Sequence, residues 1–305
     1  MGGNSAQRTR RLGFVIALNL VLVVLQVLAG LHARSSGLIA DAGHNVVDIA
    51  GIALSLGAVR WALRPPTAHH SFGWHRTTIL AALVNGGVVA AATAGIAVLA
   101  VHRLLRPVAV EGNWVVATAL VAVVVNGSAA LLLRRDRGDL NMRASLLHMA
   151  GDALSSLAVL VAGAIILARP SLRWADPAAS LVVAGAIIIE AAVVLRSSLD
   201  VLLESAPQGM DLDLLSSTMN DVYEVSEVHD LHVWSLSSEL HALSAHLVLR
   251  GQPTLEEAHA VGERVKELLA ARFGIAHATV ELESESCQDG YGNPCVIDVE
   301  GTIRR

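Results

Sequence analysis

Two histidine–aspartate pairs share one spacing in this sequence. The pattern His-x-x-x-Asp occurs only at His44–Asp48 and at His148–Asp152. Residues four apart lie on the same face of an α-helix, so each pair directs an imidazole and a carboxylate toward one point. If the two helices face each other, two nitrogen and two oxygen ligands converge in a set that Zn²⁺ accepts. Two carboxylates would also balance the double charge of the ion in a low-dielectric interior.

Asp41 lies on the same helix face as the first pair, three residues before His44. Two interpretations stay open for it: an access or proton-relay residue near the outer mouth of the site, or a hydrated helix end. For the two pairs, the alternative to a metal site is that each side chain only hydrogen-bonds a neighbouring helix. Two matching pairs favour the metal site over that alternative.

The elements that carry these pairs are apolar enough to cross a membrane. The chain is 53% hydrophobic and 16% charged, whereas a soluble domain has about 25% charged residues. A bilayer core needs roughly 20 apolar residues per helix. The sequence therefore predicts six membrane-spanning helices, over residues 12–31, 37–59, 77–101, 112–133, 144–168 and 177–195. Charges at bilayer depth cost about 2.5–3.5 kcal/mol each, which marks the two pairs as functional.

The charge is divided unevenly along the chain. Residues 1–204 carry 10 acidic and 16 basic side chains, whereas residues 205–305 carry 17 and 6. This division predicts a membrane domain over 1–205 and an aqueous, acidic domain over 206–305. Ten arginines fall in the inner segments and five in the outer loops, which predicts that both termini are cytoplasmic. Neither domain has the large basic patch of a nucleic-acid-binding protein.

The acidic part has the pattern of a small α/β domain. Its predicted elements are a helix over 211–222, strands over 228–236 and 240–249, a helix over 255–273 and a strand over 278–282. This αββαβ order gives an open three-stranded sheet with two helices on one face, similar to small metallochaperone domains. His229, His246 and Glu283 can then meet at one sheet edge and bind zinc. Ordinary surface positions are the alternative for these residues.

Two other groups of potential metal-binding side chains each have two interpretations. The loop between the second and third spans carries His69, His70 and His75, which can recruit metal or simply be solvated. Cys287 and Cys295 are too few for a disulfide scaffold. They can add a thiolate ligand or belong to nothing more than a tail.

Several of these residues lie in motifs that follow one another in the order of a known family. The motifs are LIADAGHNVVD at 38–48, SFGWHR at 71–76, HMAGD at 148–152, HDLHVWSL at 229–236, SAHL at 244–247 and TVELE at 279–283. With the six predicted spans and the αββαβ tail, the chain resembles the cation diffusion facilitators over nearly its whole length.

The resemblance implies a homodimeric exporter, held in membrane lipid, that moves Zn²⁺ out of the cytoplasm in exchange for protons. It implies a transport site on His44, Asp48, His148 and Asp152. A histidine in the first pair is similar to the zinc-preferring branch of the family. The resemblance also carries a cytoplasmic metal site over to His229, His246 and Glu283, and less directly to His277. The chain departs from some members in the loop, where Trp74 stands in place of a second ligand. The loop candidates are His70 and His75.

Other classes of function fit less well. An intramembrane zinc protease would need His-Glu-x-x-His, but no histidine here is followed by glutamate, so no enzyme is expected. A metal channel, or a sensor without coupled transport, is the main alternative. Channels use several weak sites, whereas a closed four-ligand cage favours a carrier. Cd²⁺ and Co²⁺ share this ligand set with Zn²⁺. The Arg-rich, Lys-poor composition suits a bacterial inner membrane.

Overall fold

The described residues before the α/β domain form six helices. The computed structural model describes residues 19–133 and 140–285, except for the side chains of residues 129, 132, 133 and 140–149. The helices are α1 (Asn19–Ala33), α2 (Ser36–Ala62), α3 (Thr77–Leu105), α4 (Gly112–Leu133), α5 (Leu140–Ala168) and α6 (Ala175–Leu202). Each predicted span therefore coincides with a helix, apart from residues 12–18, which lie outside the described residues.

Four of these helices are long and apolar enough to cross a bilayer within the described residues. They are α2, α3, the Ala150–Ala168 part of α5, and α6. The described apolar segments of α1 and α4, Asn19–Ala33 and Gly112–Ser128, are shorter. These helices agree with the predicted membrane character of the chain, whereas the full count of six spans stays a prediction.

The N-terminus of α2 is capped by a carboxylate from another helix. Asp176, in the first turn of α6, accepts hydrogen bonds from the backbone N–H groups of Ser36 (2.7 Å) and Gly37 (3.3 Å). The hydroxyls of Ser35 and Ser36 also donate to it, and Asp176 is only 1% exposed. The first N–H groups of a helix have no partner within the helix, so a buried helix start requires acceptors of this kind.

Small residues allow α4 and α5 to approach closely. A Cβ added at Gly163 would lie 2.8 Å from Val115 Cγ1, and one added at Gly112 would lie 3.1 Å from the backbone nitrogen of Leu167. Membrane helices commonly pack through such small residues. Val115 and Val159 then join one buried cluster with side chains of α1, α2 and α6, and this cluster holds the helices that carry the ligands.

The C-terminal part has the predicted αββαβ order. Its elements are α7 (Leu212–Asn220), β1 (Val225–Ser235), β2 (His241–Leu249), α8 (Leu255–Phe273) and β3 (Ile275–Glu283). The sheet order is β1-β2-β3, with β1 antiparallel and β3 parallel to the central strand β2. The α8 helix makes the crossover that a parallel pair requires.

One hydrophobic core joins both short helices to the sheet. Leu215 and Met219 of α7, and Val265 and Leu269 of α8, pack in the same cluster as alternate residues of β2 such as Leu247. Successive side chains of a strand point to opposite faces, so the residues between these core positions, His246 among them, lie on the face away from the helices. The prediction of two helices on one face is confirmed.

The chain forms two compact units. One contains the chain up to Gly57 together with Ala82–Leu195, and the other contains Ala58–Ala81 together with the chain from Arg196 onward. The second unit thus includes the loop between α2 and α3 as well as the α/β domain. The division at residue 205 stays a sequence-based prediction.

Candidate metal centres

Three of the four predicted transport ligands meet between α2 and α5. His44 Nε2 lies 3.3 Å from Asp48 Oδ2, one helical turn along α2, and 3.4 Å from Asp152 Oδ1 on α5. One ligand atom from each residue lies within 4.8 Å of the other two. His44 is 9% exposed and Asp152 is 3% exposed. The helical repeat and the packing of α5 on α2 therefore build a compact ligand set, buried except for the half-buried Asp48, which we call the cage.

The fourth predicted ligand is only partly described. His148 lies in α5 one turn before Asp152, on the helix face that carries that residue. Its side chain lies outside the described residues, so its membership of the cage stays a prediction.

The chemistry of the cage suits a small divalent cation. Its described members offer one imidazole nitrogen and two carboxylates, which are ligands that Zn²⁺ accepts. Burying a charge is costly unless an opposite charge or hydrogen bonds compensate it. Two carboxylates and a cation of charge +2 compensate each other, so the cage can hold a metal ion within an apolar helix bundle.

Asp41 is placed beside the cage but is not a member of the described ligand cluster. It is 1% exposed, and its Oδ2 accepts hydrogen bonds from Gln26 Nε2 (2.5 Å) and Ser156 Oγ (2.9 Å). A buried, hydrogen-bonded carboxylate is not a hydrated helix end, so that interpretation is wrong. The role in access or proton relay stays a prediction.

A second ligand cluster lies on the α/β domain. His229 Nε2 is 3.2 Å from Glu283 Oε2, and His246 Nδ1 is 3.0 Å from Glu283 Oε1. The two rings are 5.2 Å apart and nearly perpendicular. All three side chains are at most 20% exposed. Both ring nitrogens of His229 are buried, and each lies near a carboxylate: Nε2 near Glu283 and Nδ1 3.8 Å from Glu227 Oε1. The cluster of two imidazoles and the Glu283 carboxylate fits a resident Zn²⁺.

The cluster lies across the sheet and not at its edge. His246 is on the central strand β2, where it pairs with His229 of β1 on one side and with Glu281 of β3 on the other. Because the three ligands come from three adjacent strands, they meet on the sheet face that carries no helix. The predicted position at a sheet edge is therefore wrong, although the predicted residues do come together.

Asp230 lies beside this cluster, in a contact with His246 that the sequence did not predict. Its Oδ2 lies 3.5 Å from His246 Nε2, and its Oδ1 lies 2.9 Å from His232 Nε2. Strict strand alternation would put Asp230 and His229 on opposite faces. A bulge between His229 and His232 and a φ of 48° at Asp230 break that alternation. Glu281 adds another carboxylate oxygen, 3.5 Å from His246 Nε2.

His277 does not join this cluster. It pairs with Ala242 and precedes Glu283 by six residues, which is about 20 Å along an extended strand. Its ring packs edge-on against Phe72, with ring centroids 5.4 Å apart. His277 and His75 instead line one cavity of about 450 Å³, so the structure associates His277 with the loop and not with the cytoplasmic ligands.

The remaining candidates do not form a ligand set in the described chain. The ring of His70 stacks on Trp74, with centroids 3.8 Å apart, and its Nδ1 lies 3.4 Å from Thr67 Oγ1. Neither His70 nor His75 belongs to a group of three metal-binding side chains there. Cys287 and Cys295 lie outside the described residues.

The chain combines apolar helices around a His–Asp ligand set with an α/β domain that carries a second ligand set. This combination defines a class, namely membrane proteins that handle divalent metal ions. Two family models match the chain. The cation efflux transmembrane domain matches residues 13–203, and the cytoplasmic domain of cation efflux proteins matches residues 207–285. The chain therefore belongs to the cation efflux family, the cation diffusion facilitators.

Similar proteins are known from several bacteria. The zinc transporter ZitB of Escherichia coli is 32% identical over 294 residues, which cover 95% of this chain and 91% of ZitB. A cadmium, cobalt and zinc/H⁺-K⁺ antiporter of Bacillus velezensis is 28% identical over 303 residues, 96% of each chain. The metal cation efflux system protein CzcD of Cupriavidus metallidurans is 31% identical over 290 residues, 94% of this chain and 89% of CzcD.

Proposed function

We propose that this protein exports Zn²⁺ from the cytoplasm in exchange for protons. The observation that carries the proposal is the cage, in which His44, Asp48 and Asp152 converge between two apolar helices. The names of the relatives support Zn²⁺ as the substrate, with Cd²⁺ and Co²⁺ as further substrates, and one of those names includes proton exchange. His148 completes the cage as its fourth ligand.

The ligand types supply a direct means of coupling. An imidazole binds metal only in its neutral form, and histidine changes protonation state near neutral pH. When the cage opens toward the outer side, protons compete for His44 and His148 and release the metal ion. When it opens toward the cytoplasm, Zn²⁺ displaces those protons. A cage open to one side at a time therefore moves the two ions in opposite directions.

The second cluster acts as a regulatory site in this proposal. His229, His246 and Glu283 bind a resident Zn²⁺, and their position in the α/β domain separates them from the transported ion. The overall charge of residues 205–305, with 17 acidic against 6 basic side chains, attracts cations toward this part of the protein. His70 and His75 belong to no group of three metal-binding side chains among the described residues and are not given this role.

The wider arrangement follows from the same proposal. Residues 1–205 form six spans in the bacterial inner membrane, and residues 206–305 form the cytoplasmic domain. Both termini are cytoplasmic, and two copies of the chain form a homodimer. The excess of arginine in the inner segments supports this orientation.

Flux measurements in proteoliposomes test the proposed function. The purified protein is reconstituted with a zinc-sensitive dye inside the vesicles, and uptake is followed with and without a pH gradient. The parent protein should move Zn²⁺ faster when the gradient favours exchange, and Asp152→Ala should abolish uptake because one of the two compensating charges is lost. Glu111→Ala, which removes an exposed carboxylate, is the matched control and should behave like the parent.

Two results would contradict the proposal. Uptake that does not depend on the pH gradient would indicate a channel. Undiminished uptake by Asp152→Ala, in protein that remains folded by size-exclusion chromatography, would show that the cage is not the transport site.

A further inference from the structure

A chain of buried polar side chains connects three helices next to the cage. Gln26 of α1 donates from Nε2 to Asp41 Oδ2 of α2, and its Oε1 accepts from Asn45 Nδ2 of the same helix at 3.1 Å. Ser156 of α5 donates to the same Asp41 oxygen at 2.9 Å. Gln26 and Ser156 are 0% exposed, Asp41 is 1% exposed and Asn45 is 6% exposed. We call these four residues the polar bridge.

The polar bridge lies one turn or less from every described cage ligand along the chain. Asp41 precedes His44 by three residues, and Asn45 immediately follows it. Ser156 follows Asp152 by four residues, which is one helical turn. The Ser156–Asp41 hydrogen bond therefore joins α5 to α2 about one helical turn away from the contact between His44 and Asp152. The Ser156–Asp41 bond therefore opposes rotation or sliding of α5 against α2.

Gln26 holds α2 at two points. Because its amide nitrogen and its amide oxygen contact residues four apart on α2, the Gln26 side chain spans one turn of that helix. Asp41 Oδ2 in turn accepts two hydrogen bonds, one from Gln26 of α1 and one from Ser156 of α5. Hydrogen bonds between membrane helices contribute only about 0.6 kcal/mol each on average. Their larger effect is geometric, since they select one rotation of each helix about its axis.

We propose that Gln26, with Asp41, Asn45 and Ser156, positions the metal cage by fixing the rotation of α2 relative to α5. The bridge residues are positioning residues, and they act through His44 and Asp152 without binding the ion. This inference rests on the proposed function, because it assigns the cage to the transported Zn²⁺. Groups that orient metal ligands change metal affinity or activity by about 10–100-fold when they are removed.

The test compares variants of Ser156 and Gln26 in the full-length protein. Ser156→Ala and Gln26→Leu remove the hydrogen bonds while keeping similar side-chain size. Each should raise the KM for Zn²⁺ about tenfold, with a smaller change in kcat, and should lower the ratio of Zn²⁺ to Cd²⁺ transport because a looser cage accepts a larger ion. Ser156→Thr keeps the hydroxyl and should restore the parent values.

Ser155→Ala is the matched control. Ser155 neighbours Ser156 on α5 and lines an apolar groove with residues such as Leu154 and Trp174, so its loss should leave the KM and the metal ratio unchanged. Equal KM values and metal ratios for Ser156→Ala, Gln26→Leu and Ser155→Ala would overturn the inference. A variant that does not fold is replaced by Asn45→Ala, which removes only the Gln26–Asn45 bond and should raise the KM in the same direction.

Asp41→Asn separates positioning from proton relay. An asparagine oxygen still accepts from both Gln26 and Ser156, so this variant should keep most transport, whereas Asp41→Ala should lose it. If Asp41→Asn is as inactive as Asp41→Ala and its KM for Zn²⁺ is unchanged, the carboxylate serves proton transfer and the positioning role is overturned. The proposed function fails on a different observation, namely transport by Asp152→Ala, so the two failures are distinguishable.

Discussion

His44 is the nitrogen ligand at the centre of the described cage. Its Nε2 lies within 3.4 Å of a carboxylate oxygen from each of two helices. Imidazole nitrogen suits Zn²⁺, whereas carboxylate oxygens suit harder ions such as Mn²⁺. The choice of histidine or aspartate at this one position therefore affects which metal ion the cage prefers.

His44→Asp should reduce the preference for Zn²⁺. The substitution replaces a nitrogen ligand by an oxygen ligand, so transport of Mn²⁺ and Cd²⁺ should rise relative to that of Zn²⁺. Competition assays in proteoliposomes measure the ratio of rates. His32→Asp, which changes an exposed histidine outside the cage, is the control. An unchanged ratio in His44→Asp would show that packing around the cage, and not this ligand, determines selectivity.

At the scale of single elements, the start of α2 depends on Asp176. Asp176→Ala removes the acceptor for the N–H groups of Ser36 and Gly37 and for two hydroxyls. Loss of a helix N-cap costs about 1 kcal/mol, and each buried donor left without a partner adds about 1–3 kcal/mol. The variant should therefore melt at a lower temperature than the parent in detergent. Asp200→Ala, on the same helix, should change the melting temperature less, and equal effects would refute the capping role.

The capping box of α8 gives a prediction about pH. The backbone N–H of Thr254, and then its hydroxyl, donate to Glu257 Oε2 and hold the pKa of Glu257 below its ordinary value. A carboxyl with a lowered pKa in the folded state stabilises the fold above its unfolded pKa, and this contribution is lost as the pH falls through the folded pKa. Glu257→Gln should therefore lower the melting temperature at pH 7.

The difference between Glu257→Gln and the parent should shrink at acidic pH, where the parent carboxyl is also uncharged. Thermal melts at a series of pH values measure it. Glu256→Gln removes an adjacent exposed charge that has no part in the capping box and serves as the control. A difference that stays constant down to acidic pH would contradict the assigned role of the carboxylate.

Elements with strong local signals were predictable from the sequence. The bounds of α8 agree with the prediction because Thr254 and Glu257 form a capping box and Gly274, with a φ of 67°, ends the helix. Strands β1 and β3 each begin three residues earlier than predicted. Their first residues extend the pairing with β2, and alternation within one strand carries no information about pairing with another.

The contacts of the cage were also more predictable from the sequence than those of the polar bridge. The spacing of His44 and Asp48 predicts that their side chains meet, because one helix brings them together. Gln26 and Ser156 belong to other helices, and their contact with Asp41 depends on helix rotation, which the sequence pattern of one helix does not specify. Asp230 was missed because a bulge reverses the side on which it lies. Local spacing thus predicted the ligands, and tertiary packing determined their neighbours.

At the scale of the whole molecule, two metal sites should be separable by mutation. Metal bound only to the folded state stabilises it by roughly 2.7 kcal/mol at a hundredfold excess over the dissociation constant. Zn²⁺ should therefore raise the melting temperature of the full chain, and a chelator should reverse the shift. His246→Ala should reduce the shift and lower the number of bound ions, whereas His259→Ala, at an exposed position of α8, should not.

Zn²⁺ flux should depend more on the cage than on the site of the α/β domain. His246→Ala should keep a larger part of its Zn²⁺ flux than Asp152→Ala does, because in the proposed function the cytoplasmic site regulates and the cage carries the ion. Metal counting by mass spectrometry and flux on the same preparations measure both properties. Complete loss of flux in folded His246→Ala would contradict a regulatory role for this site.

The order of the strands has a consequence for the newly made chain. Glu283 lies on β3, which reaches β2 only after α8 has crossed over the sheet. A ribosome that has just released β2 has therefore presented His229 and His246 without their carboxylate partner from β3. Parallel pairing over such a sequence distance forms slowly, so the full ligand set assembles only after β3 has left the ribosome and paired with β2. A nascent polypeptide that lacks β3 therefore offers two imidazoles without the Glu283 carboxylate.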